Sequence, residues 1–174
     1  DEVRKVRKEL DDAVRKLRRD HERVIRESEK VSKEIEDRAR DVERRLDKVV
    51  DELRKKDVKE EIEREVERIR EEVRKKLEEI LDRVRKINEK AREHSERNKR
   101  DVERVKKEVA DRLRDGDSRE EVMKRLRDMI RRLKEDAEKL KRELKRRHER
   151  VKELLDKVRR ELEKLEKEVD DKVK

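Results

Sequence analysis

The stretch His21-Glu22-Arg23-Val24-Ile25-Arg26-Glu27-Ser28-Glu29-Lys30-Val31-Ser32-Lys33-Glu34-Ile35-Glu36-Asp37-Arg38-Ala39 decides the fold. His21, Val24, Ser28, Val31, Ile35 and Ala39 follow one another at steps of 3, 4, 3, 4 and 4, and most residues between them are charged. Steps of three and four place these side chains on one face of an α-helix. The steps close after 18 residues, five helical turns, which is ~3.6 residues per turn and suits a straight helix; a heptad, at ~3.5, would impose a left-handed supercoil.

The same series continues back through Leu17, Ala13, Leu10, Val6 and Val3 and forward through Val42, Leu46, Val49 and Leu53. A second helix repeats the period in Ile62, Ile80 and Asn98 and in Val66, Val84 and Val102. A third repeats it in Leu126, Leu144 and Leu162 and in Leu133, Val151 and Val169. Flanking Val14, Ile25, Val50, Leu81, Met123, Ile130 and Leu154 widen each stripe beyond what a two-stranded coil needs. That width predicts three helices sharing one core.

Composition agrees. Of 174 residues, 66% are charged, 28% are apolar and none is aromatic, with one Gly and no Pro or Cys. So much charge also suits disorder, but scattered apolar residues would then be expected, and these are periodic. The net charge of +9 comes from 62 basic and 53 acidic residues, interleaved as in Glu60-Glu61-Ile62-Glu63-Arg64-Glu65. Without a single-sign block, or an aromatic side chain to stack on a base, nucleic-acid binding is not expected. The longest apolar runs are two residues, such as Val49-Val50, far short of the ~20 a membrane span needs. No signal peptide is read, a water-soluble chain is expected, and localisation is left open.

Two helix starts are legible. Asp57-Val58-Lys59-Glu60 reads as a capping box, with Asp57 accepting from free backbone N–H groups and Glu60 reaching back. Ser118-Arg119-Glu120-Glu121 reads the same way, and Gly116 just before it suits the left-handed residue that ends a helix. The expected architecture is all-α. It is an antiparallel up-down-up bundle of three nearly untwisted helices, over about 2–55, 58–114 and 119–173, in a single domain spanning 1–174.

A uniform period, equal helix lengths, idealised caps, minimal loops and an almost wholly charged surface make the chain resemble a de novo, parametrically designed helical bundle. Among natural folds the spectrin-type three-helix repeat is nearest in plan, but its helices are shorter and carry core Trp.

Polar residues interrupt the stripes. His21 and Ser28 take core steps of the first helix, with Ser32 beside Val31; Ser95 and Asn98 take core steps of the second, flanked by His94 and Asn88; His148 takes a core step of the third. Antiparallel turns put His21 level with about residue 91, between Asn88 and His94, and His148 level with about residue 27, within reach of Ser28. His21, Ser28, Asn88, His94, Ser95, Asn98 and His148 are therefore expected to form buried hydrogen-bond networks, because a half-satisfied network is worse than an apolar core. A blander arrangement sets His94, Asn88 and Ser32 at a wetted rim.

No metal or other cofactor is expected. One zinc site shared by the three histidines is disfavoured, because His148 stands ~10 Å along the axis from the other two. No catalytic site is expected either: Ser28 with His148 lacks an orienting third group and an oxyanion hole. The chain reads as a designed scaffold, monomeric and needing no partner. Its alternative is a homo-oligomeric or pH-responsive module that uses buried histidines.

Overall fold

The computed structural model describes residues 2–56 and 58–173. Three α-helices carry the chain: α1 (Glu2–Lys55), α2 (Glu60–Arg114) and α3 (Arg119–Val173). They pack pairwise as a three-helix bundle, and no strand occurs among the described residues.

The helix ends follow from local hydrogen bonding. α2 begins two residues later than the expected 58, since the Lys59 carbonyl accepts from the N–H groups of Ile62 at 3.0 Å and Glu63 at 3.3 Å. Asp57, the expected cap, lies outside the described residues. Glu60 opens α2, and its carboxylate lies 3.8 Å from Arg64 one turn on. Between α2 and α3, Gly116 has φ 85°. Its N–H donates to Leu113 at 3.3 Å, and the Asp117 N–H donates to Arg112 at 3.1 Å. This pair of bonds is a Schellman motif, which satisfies carbonyls the helix leaves free. Ser118 caps α3: its Oγ accepts from the Glu121 N–H at 3.3 Å, and its carbonyl accepts from Val122 at 3.1 Å.

The helices run through two compact units. Unit 1 comprises residues 1–29 and 89–145; unit 2 comprises 30–88 and 146–174. In unit 1, Val6, Leu10, Val14 and Leu17 of α1 cluster with Val102, Val105 and Val109 of α2 and with Val122, Met123, Leu126, Met129, Ile130 and Leu133 of α3. α2 and α3 run antiparallel there, since Lys90 pairs with Glu143 while Glu108 pairs with Arg125 at 2.9 Å. In unit 2, Leu46 and Leu53 of α1, Ile80 and Ile87 of α2, and Leu155 and Leu162 of α3 are almost wholly buried. Asp47 meets Arg70 at 3.2 Å and Arg54 meets Glu67 at 3.3 Å, so α1 and α2 are antiparallel. Ser32 meets His148 and Arg45 meets Glu166 at 2.7 Å, so α1 and α3 are parallel.

Some positions depart from the expected stripe. Val3, in the first turn of α1, is 41% exposed. Val14 is buried and Ala13 only partly so; Ser32 is buried and Val31 only partly so. In both places the inward face lies one residue further along the chain. A residue on the flank of a wide stripe can be the most deeply packed one when two helices, rather than one, cover it.

Candidate functional site

Both sites of interest arise where the sequence breaks its apolar rule, and each lies inside one unit. In unit 1, His21 projects from α1 at the inward step held by Val3 and Ala39 one period away, and it is 5% exposed. Across from it on α2 stands His94, half-buried. The two rings stack, with centroids 5.2 Å apart and planes inclined by 25°. Two neutral imidazoles in this arrangement make an ordinary aromatic contact, of about 0.5–1.5 kcal/mol beyond the area buried. If both carried a proton, charges at that separation would repel by roughly 3 kcal/mol at an effective dielectric constant of ~20.

The hydrogen-bonding state of the pair is unusual. Among the described residues, no protein group hydrogen-bonds to Nδ1 or Nε2 of His21, or to Nδ1 of His94, and these atoms are buried. Burial holds the His21 imidazole below its ordinary value of 6.5; His94 adds to this and Glu22 opposes it. Burial likewise lowers His94, with Arg97 and Lys90 in the same sense and Asp136 and Asp101 opposing. Both rings therefore favour the neutral form, since a buried charge without a partner is the costlier state.

In unit 2, His148 of α3 is 4% exposed and Ser32 of α1 is 2% exposed. Ser32 Oγ lies 2.9 Å from His148 Nε2, a buried side-chain hydrogen bond spanning 116 positions of sequence. Spacing sets Ser32 beside the inward step held by Val31, and the structure buries it there against His148. The signal was present in weaker form: Ser32 lies one helical turn beyond Ser28 and one turn before Ile35.

The remaining polar interruptions are distributed between the units. Ser28 and Asn98, in unit 1, are buried at 5% and 6% exposure. Ser95, in unit 1, and Asn88, in unit 2, are half-buried, and the buried Oδ1 of Asn88 accepts no hydrogen bond among the described residues. The structure thus brings His21 to His94 and Ser32 to His148. The first is a ring stack and the second a hydrogen bond. Among the described residues, no group of three or more His, Cys, Asp or Glu side chains could hold a metal ion, and no helix is long and apolar enough to cross a membrane.

At the caps, Ser118 and Glu121 make the bond described above, Gly116 takes the left-handed conformation, and Glu60 opens α2. On the surface, Glu108 of α2 accepts from Arg125 of α3 at 2.9 Å and from Arg112 at 3.4 Å. The hydrogen bond from Arg125, chiefly, holds its carboxyl below the usual range.

Comparison with known proteins adds no relative: no family model, no curated protein and no solved structure matches this chain.

Proposed function

We propose that this chain is an artificial structural scaffold, a designed three-helix bundle that acts on no substrate and needs no partner. Its buried polar contacts would specify which helix faces meet and at what height. The observation that carries this reading is the Ser32–His148 bond, with both partners buried. A hydroxyl and an imidazole at one level of an apolar core tie α1 to α3 in one register. A shift of either helix would break that bond and leave the Ser32 hydroxyl buried without it, at a cost of about 1–3 kcal/mol.

The idealised ends support artificial origin: Ser118 as cap, Gly116 as stop, and connections of a few residues. A monomer is supported by the scarcity of exposed apolar surface; among the described residues only Val3 is a large apolar side chain that is exposed.

The test replaces the polar contact by apolar groups. Ser32→Ala with His148→Leu should keep or raise the melting temperature but loosen specificity. Sedimentation should then show a mixture of masses in the variant and a single 21.7 kDa species in the parent. A parent that sediments at twice or three times its chain mass sinks the monomer. A variant as homogeneous as the parent sinks the specificity role.

A further inference from the structure

We propose that the stacked His21–His94 pair makes unit 1 a proton-responsive joint, closed while both imidazoles are neutral and forced open between α1 and α2 when both take a proton. The inference goes beyond the scaffold reading, which rests on a different contact in the other unit. It stands first on geometry. Two imidazoles face each other across two helices, with ring centroids 5.2 Å apart. Nδ1 and Nε2 of His21 and Nδ1 of His94 are buried and meet no protein donor or acceptor among the described residues. A proton arriving at any of these nitrogens has no acceptor built to receive it.

The charged groups around the pair come from all three helices. Glu22 acts from α1, Lys90, Arg97 and Asp101 from α2, and Asp136 from α3. Lys90 is itself paired with Glu143 of α3. His94 is the less buried of the two rings, so it takes the first proton. The second must enter His21, which is 5% exposed and faces a ring already charged. That step carries the desolvation and the repulsion together, and it is the step that separates the helices.

The direction of the pH effect follows from the lowered values of both rings. The unfolded chain takes protons below ~6.5 while the folded pair resists them. Stability contributed by the neutral pair is therefore complete above ~6.5 and is lost as pH falls through the folded values. Repulsion needs two rings, so removing either one relieves it.

Thermal melting of the full chain at about pH 7.5 and about pH 5, above the carboxylate range, tests the proposal. The parent, His21→Leu, His94→Leu and His148→Leu are compared. The parent and His148→Leu should lose more melting temperature on acidification than His21→Leu or His94→Leu. The excess should be ~3 °C or more, as expected for a tenfold linkage effect in a chain of this length. Equal losses in all four, or relief by His148→Leu instead, overturns the proposal. Should a leucine variant fail to fold, NMR titration of the imidazole C–H resonances in the unmodified chain decides. Both His21 and His94 should titrate below the ordinary histidine range, His21 the lower of the two. A midpoint for either ring at or above ~6.5 overturns the proposal.

Discussion

Gly116 is the residue on which the turn between α2 and α3 depends. Its φ of 85° belongs to the left-handed region, and a Cβ there would meet nothing within 4 Å. The cost of a side chain is therefore backbone strain alone. Gly116→Ala should destabilise the chain by about 1–2 kcal/mol, and Gly116→Asn by less, as chemical denaturation would measure. Equal stability of all three would show that the Schellman bonds do not hold this conformation. Gly116 was legible because it is the chain's one glycine, placed where a helix had to stop. Ser32 was harder to read. Periodicity assigns a side chain to a face within about 100° of arc; it does not say which of two adjacent residues packs deeper.

At the scale of elements, each helix carries its own signals and also the surface pairs that join it to its neighbour. Ser118→Ala removes the acceptor for the Glu121 N–H and should cost about 1 kcal/mol, with fraying confined to the first turn of α3 in hydrogen exchange. Protection unchanged at Glu121 and Val122 would refute that role. Between α2 and α3, Arg125 holds the Glu108 carboxyl below its ordinary range. The stabilisation is present above the unfolded value of 4.5 and is lost as pH falls through the folded one. Arg125→Ala should raise the Glu108 midpoint in carbon-detected NMR while changing stability by under ~1 kcal/mol, since both side chains are about a third exposed and screened by solvent. The stop of α2 and the start of α3 were readable because caps are local chemistry. The start of α2 shifted because more than one residue near Asp57 can open a helix, and hydrogen bonds to the Lys59 carbonyl select among them.

At the scale of the whole molecule, stability rests on few apolar side chains, because only 28% of the residues are apolar. Each deeply buried side chain therefore matters. Leu46→Ala or Leu162→Ala, both at 0% exposure, should cost about 2–5 kcal/mol, whereas Val3→Lys at 41% exposure should stay within about 0.5 kcal/mol. Comparable losses at Val3 and Leu46 in urea unfolding would contradict this assignment of the core. The sequence by itself determined three helices, their approximate ends, the turn at Gly116 and the set of polar residues placed against the core. These follow from period, caps and composition, which act over a few residues at a time. Only the tertiary structure decided that His21 stacks on His94 and that Ser32, beside Val31, meets His148. Those contacts join residues far apart in the chain. They depend on how each helix is rotated and shifted against its neighbours, and a one-residue difference there changes which side chain is buried.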